Sequence, residues 1–263
     1  MKLLTLNCHS WQEDEQLAKI HYLAKTIQEN DYDVIALQEV SQSIEARNVS
    51  GNMKEDNFVR LLQAELEKLG AAKYDIVWDF AHIGYDVYEE GLAILTKHSI
   101  TKSDSFFVSD STDTTYWKTR KIVSATISYN NEPVTIYSCH LGWWIDEEEP
   151  FKKQVDHLLN HVDNNELSFL MGDFNNNART QNEGYDYLIK NGLYDTYELA
   201  ERKDEGTTVQ GKIAGWDENK NNLRIDLILS NHPLKVVSSQ VIFNGMNRNV
   251  VSDHFGVEVQ INV

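Results

Sequence analysis

LLTLNCHSW at residues 3–11 and TIYSCHLGW at residues 135–143 share one outline: an apolar run, a polar residue, a cysteine, a histidine and, two or three positions on, a tryptophan. Each leads into a stretch of helical spacing and then into an apolar run closed by a carboxylate. After the first come Leu17, Ile20, Leu23, Ala24 and Ile27, followed by DVIALQEV (33–40) with Glu39. After the second come Phe151, Val155, Leu158, Leu159 and Val162, followed by LSFLMG (167–172) with Asp173. His9 precedes Glu39 by 30 residues and His140 precedes Asp173 by 33. Short apolar runs alternating with 3.6-residue periodicity read as strand–helix–strand units, whose strand ends gather polar residues on one rim. The pair predicts an α/β protein with pseudo-twofold halves; a chance likeness of two ordinary units is the competing reading.

Working outward, Phe58, Leu61, Leu62, Leu66 and Leu69 mark another helix, with Asn57 as N-cap and Gly70 as stop. A further helix is expected to start at Pro150, with Glu147, Glu148 and Glu149 favourably placed before its N-terminus. Strands are expected at 73–80, 91–96, 120–129, 134–140, 167–172, 225–230, 236–243 and 256–262. The chain has three prolines (Pro133, Pro150 and Pro233) and no low-complexity stretch, so residues 1–263 read as a single domain.

Composition narrows the function. The 263 residues carry 24 Lys and Arg against 41 Asp and Glu, a net charge of −17, which disfavours a partner that is a long polyanion. A bound cation still lets such a surface hold one phosphate. Cys8 and Cys139 are too few for a disulfide framework and suit a reducing compartment. No apolar run approaches a membrane span, and the opening MKLLTLNCHSW is too short in apolar residues for a secretory signal; a cytoplasmic protein starting at Met1 is expected.

Chemistry-bearing side chains recur where core strands end: Asn7, Glu39, His140, Asp173, Asn175, Asp226 and the pair Asp253–His254. Singly, Asn7 or Asp253 suits a turn and Glu39 a loop cap. Together, half-buried carboxylates without countercharge are costly, and a cation resolves the cost. Glu39, Asp173 and Asp253, with the amides of Asn7 and Asn175, are oxygen donors that favour Mg²⁺ or Mn²⁺ over zinc. His140 and His254 fit a site where an imidazolium meets a phosphate while a carboxylate steadies its ring.

The stretches LNCHSW, LQEV, EEGLAILTK, SCHLGW, MGDFNNN, RIDLILS and SDHFGV resemble, in order, the motifs of the endonuclease/exonuclease/phosphatase superfamily of metal-dependent phosphoesterases. The resemblance implies a four-layered α/β sandwich, two packed mixed β-sheets flanked by helices. It makes Glu39 the principal metal ligand, with Asn7 and Asp253 completing or relaying the shell. It casts Asp173 as the residue that deprotonates the attacking water and Asn175 as a donor to the phosphoryl oxygens. His254 pairs with Asp226, His140 is a second phosphate contact, and Glu90 is expected to orient His140. Arg120 in YWKTRKIV falls where some members place an arginine on the phosphate; a solvated surface arginine is the alternative.

The same motifs serve nucleases, sphingomyelinases and sugar phosphatases, so substrate must be read from the rim. The rim segments lack the clustered bases of a nucleic-acid grip, and neither a signal peptide nor an apolar membrane-docking loop is evident. They offer aromatic rings instead, among them Trp11, Trp117, Trp143, Trp144 and Trp216, which suit the apolar face of a sugar or else pack loops onto the core. MKLLTLNCHSW, LGWW and the compact length resemble the bacterial cytoplasmic branch that includes maltose 6'-phosphate phosphatase and exonuclease-like regulators. The expected function is Mg²⁺-dependent hydrolysis of a phosphorylated sugar, maltose 6'-phosphate first. A metal-dependent nuclease is the runner-up, ahead of a sphingomyelinase-like enzyme or a non-catalytic binding module. The oligomeric state is not legible.

Overall fold

A computed structural model describes residues 1–262. The first half runs β1 (Lys2–Asn7), α1 (Gln16–Asn30), β2 (Val34–Ser43), β3 (Asn48–Ser50), β4 (Met53–Lys54), α2 (Phe58–Lys68), β5 (Asp75–Gly84), β6 (Tyr88–Thr96) and β7 (Ile100–Phe107). Then come β8 (Lys121–Tyr129), β9 (Glu132–His140), α3 (Phe151–Leu159), β10 (Leu167–Asp173), α4 (Gly184–Lys190), β11 (Tyr194–Asp195), α5 (Thr196–Leu199) and β12 (Arg202–Lys203). The chain closes with β13 (Val209–Gln210), β14 (Asn222–Leu223), β15 (Asp226–Ser230), β16 (Lys235–Ile242) and β17 (Gly256–Asn262).

Among these residues the strands form two large mixed sheets, in the orders β12-β16-β17-β1-β2-β6-β5 and β11-β15-β10-β9-β8-β7. The repeated outline lies at the centre of each. β1 pairs parallel with β2 across α1, and β9 pairs parallel with β10 across α3. Outside each parallel pair the neighbours are antiparallel in matching positions, β17 and β6 in one sheet and β8 and β15 in the other. The pseudo-twofold organisation read from the sequence therefore extends to the strand order.

Strand alternation explains the layers. Leu3, Val34, Ala36 and Ile94 of the first sheet face Val123, Ile136, Phe169 and Met171 of the second in one buried cluster. The alternate residues Leu4, Leu6, Ile35 and Leu37 point the other way, onto Ile20, Leu23 and Ile27 of α1 and Leu62 of α2. Tyr137, Cys139 and Leu170 likewise meet Phe151, Val155 and Leu158 of α3 and Leu188 of α4. Each such side chain removed from water contributes about 1.5–3 kcal/mol, which is what orders the four layers. Cys8 and Cys139 lie in different clusters, both buried and free.

Several expectations shift by a residue or a face. Asn57 caps α2 by accepting from the backbone N–H of Val59 and Arg60, and Gly70 takes the left-handed conformation just past its end. Leu17, expected to face inward, is exposed because α1 turns its Ile20–Leu23–Ile27 stripe to the sheet. Pro150 is the N-cap of α3, which begins at Phe151. The acids before it do not serve the helix terminus: Glu149 accepts from the backbone of Asp110 and Ser111, and Glu148 pairs with Lys118.

Candidate active site

Sheet register assembles the floor of the site. Asp173, the last residue of β10, stands opposite His140 at the end of β9 and opposite Asp226 at the start of β15, so three strands place three functional groups on one rung. From the other sheet, Asn7 ends β1 and its side-chain amide donates to Glu39 Oε1 at 2.8 Å and to Asp173 Oδ2 at 3.2 Å, tying the two sheets together. Glu39 sits in a β-bulge between Leu37 and Val40 with φ +50°, a left-handed backbone that turns its carboxylate toward the cleft. Asn175 has φ +49°, its backbone N–H donates to Asp173 Oδ1 at 2.8 Å, and its side chain donates to Leu141 O at 2.9 Å.

His254 enters from the turn before β17. Its Nδ1 lies 3.0 Å from Asp226 Oδ2, and its Nε2 is 3.7 Å from Asp173 Oδ2. His140 Nε2 stands 3.8 Å from the same Asp173 oxygen and 3.9 Å from Glu39 Oε1. Above this floor is a cleft of about 280 Å³ walled by Tyr85, Trp117, Trp143 and Gly215.

The electrostatics follow from crowding charged groups out of water. Burial, with the nearby carboxylates of Asp226 and Glu39, pushes Asp173 up to about 7 against the opposing pull of His254. Burial and Glu39 push Glu90 up to about 8, and burial with Asp253 raises Glu39 despite the Asn7 amide. The histidines diverge. Burial disfavours the charge on His254, yet Asp226 and Asp173 outweigh it and hold the ring well above its usual value. Burial together with Arg120, His82 and His254 drives His140 well below, so the ligand-free cleft contains one imidazolium and one neutral ring. Of the two histidines read from the sequence, His254 is the one whose surroundings favour the imidazolium.

Other predicted residues are redistributed. Glu90 does not hydrogen-bond His140; its Oε1 lies 3.4 Å from Nε2 of His82. His82, whose pKa burial and Arg120 lower to about 3, escaped sequence reading because the strand expected to stop at residue 80 continues through Gly84. Asp253 lies 3.6 Å from His9 Nδ1, in a group with Glu13 at the edge of the site. Arg120 is no surface arginine: it is 4% exposed, donates to the carbonyls of Trp117 and Thr119, and lies 5.9 Å from the centre of the Trp143 ring. Trp117 and Trp143 line the cleft, whereas Trp144 lines a neighbouring groove. Trp11 donates from its indole N–H to Ser41 O and does not line the cleft.

Ligand atoms of Glu39, Glu90 and His140 lie within 4.8 Å of one another, and the Glu39 carboxylate raises the proton affinity of Glu90. Such a mutually repelling oxygen pair beside a neutral ring is a donor set fitted to a divalent cation.

The chain belongs to the Endonuclease/Exonuclease/phosphatase family. The family model matches residues 4–254, spanning all the groups described above. Members of this family are divalent-metal-dependent phosphoric ester hydrolases. Among solved structures, an endonuclease/exonuclease/phosphatase family protein from Leptotrichia buccalis C-1013-b is 42% identical with a TM-score of 0.95, and all of both chains is covered. The mannosyl-6-phosphatase Bt3783 of Bacteroides thetaiotaomicron VPI-5482 shares the fold at 18% identity, with a TM-score of 0.73 and full coverage of both chains. TDP2 from Caenorhabditis elegans does so at 18% identity and a TM-score of 0.69, over 100% of this chain and 74% of that one. No curated protein matches the chain. Among the described residues no helix is long and apolar enough to cross a membrane.

Proposed function

We propose that this chain is a phosphomonoesterase that uses a divalent cation, Mg²⁺ or Mn²⁺, to hydrolyse a phosphorylated sugar, with maltose 6'-phosphate as the first candidate. The observation that carries the reading is the cleft itself. Its floor holds Asp173, His140 and His254, its volume is about 280 Å³, and its walls are indole and phenol rings. A cavity of this size suits a small ester, and flat rings beside hydrogen-bonding groups suit a sugar.

The residues divide the work as follows. Asp173, held by the Asn7 amide and the Asn175 backbone N–H and with a proton affinity near neutrality, accepts the proton of an attacking water and aims its oxygen at phosphorus. The His254 imidazolium, kept charged by Asp226, donates from Nε2 to a phosphoryl oxygen. Arg120 adds a fixed positive charge to the wall, and His140 presents its ring beside it. The phosphorus–oxygen bond to the sugar breaks as charge spreads over the phosphoryl oxygens, where these donors are strongest. Glu39 and Glu90, with Asn7 and Asp253 in support, would hold a divalent cation, which would supply Lewis acidity to the phosphoryl group and the departing alkoxide.

Asp173→Asn keeps the shape and hydrogen-bonding reach of the side chain but removes the base. Phosphate release from maltose 6'-phosphate by this variant is expected to fall by about 10²–10⁴-fold with an unchanged melting temperature. Turnover within a few-fold of the parent protein in the folded variant refutes the assignment.

A further inference from the structure

Beside the catalytic cleft lies a second, larger groove of about 390 Å³. Trp143 and Asn175 line both, so the two cavities adjoin. Trp144 and Trp216 add indole surface. No lysine or arginine lines the groove, which makes it a poor seat for a second phosphate or a nucleic-acid backbone.

Its polar groups are uncharged amides, a hydroxyl and one carboxylate. Among the described residues, the side chains of Thr180, Glu183 and Asn221 make no hydrogen bond or ion pair with the protein, and the Asn177 side chain is used only through its oxygen, leaving its NH₂ group free. These free donors and acceptors stand around indole faces, the combination that a polyhydroxylated ring with apolar C–H faces satisfies. The groove also touches the chemistry: Trp216 Nε1 donates to Asn175 Oδ1 at 3.0 Å, so an indole that lines the groove steadies an amide of the cleft.

We infer that this groove is a second sugar subsite. It holds the unphosphorylated ring of a disaccharide phosphate while the phosphorylated ring occupies the cleft, and Trp144, Glu183 and Asn221 set the preference for two rings over one. The inference rests on the sugar-phosphatase reading, so its test separates the two.

The measurement is the ratio of kcat/KM for maltose 6'-phosphate to kcat/KM for glucose 6-phosphate, with Mg²⁺, in the parent protein, Asn221→Ala and Glu183→Gln. Asn221 is an exposed residue beside a short hairpin, which keeps folding out of the comparison. The ratio is expected to favour the disaccharide in the parent and to fall by about fivefold in each variant, chiefly through KM, the worth of one lost hydrogen bond. A ratio that moves in neither variant overturns the subsite and leaves the sugar phosphatase standing. A parent that hydrolyses neither ester defeats the sugar-phosphatase reading, and the groove is then judged by titrating tryptophan fluorescence with unphosphorylated maltose. Saturable quenching weakened by Asn221→Ala supports the subsite, and no saturable change overturns it.

Discussion

At the scale of single residues, environment sets charge more than residue type does. His254 and His140 face the same Asp173 oxygen, yet one is held protonated by Asp226 and the other is kept neutral by burial and three cationic or ionisable neighbours. Sequence names both histidines but not this split, because His82 on β5 and Arg120 in the loop before β8 meet His140 only in the fold. The same limit explains Trp11, whose placement among predicted rim residues said nothing of the Ser41 carbonyl waiting for its indole N–H. A structural carboxylate far from the site gives a pH test. Asp33 is partly buried, which raises its proton affinity, but the backbone N–H of Lys2, His98 and Lys97 outweigh this and leave the pKa lowered. A lowered carboxylate stabilises the fold at pH above its unfolded value and loses that contribution as pH falls through the folded one. Asp33→Asn is therefore expected to cost about 1 kcal/mol at neutral pH, and its deficit should shrink as the pH is taken below the ordinary aspartate range. Urea midpoints at the two pH values decide it, and a deficit of constant size contradicts the assignment.

At the scale of elements, the two strand–helix–strand units were legible because both of their strands are buried on two faces and read as unbroken apolar runs. β7 was not: ITKSDSFF is an exposed edge strand whose lysine and aspartate blunt its outer side, and nothing in its pattern competes with a loop. α4 buries Leu188 and Gly184 alone among its residues and gives too short a stripe to register as a helix. One position in the legible part is exacting. Gly172, just before Asp173, has φ +148°, and a Cβ there would stand 1.9 Å from the carbonyl oxygen of Cys139. That oxygen belongs to the parallel neighbour β9, so it cannot retreat without disturbing the rung that aligns His140 with Asp173. Gly172→Ala is expected to destabilise the fold by about 3 kcal/mol or more, seen as a drop in thermal midpoint, and to impair turnover in whatever remains folded. An unchanged midpoint would mean that β9 and β10 separate more easily than their close packing indicates.

At the scale of the whole molecule, the sandwich brings Asn7 and Glu39 from one sheet against Asp173, His140 and Asp226 from the other, and His254 from the turn that re-enters the first. The strand-end pattern foretold this convergence for Asn7, His140 and Asp173, which close buried strands, whereas Glu39 reaches the rim from a bulge inside β2 and Asp226 from the first position of β15. The division of the rim into a cleft and an adjoining groove could not be foretold, because it depends on how the loops at 142–149, 176–183 and 211–221 fold over one another. The net charge of −17 surrounds a site whose fixed cations are few and local. That balance tolerates one small phosphate and opposes a polyanion. The decisive comparison is phosphate release from maltose 6'-phosphate and glucose 6-phosphate beside cleavage of single- and double-stranded DNA and RNA, in one preparation with Mg²⁺. Turnover of the sugar esters with intact nucleic acids is the expected result; cleavage of nucleic acid without sugar-phosphate turnover would contradict it and make this chain a nuclease.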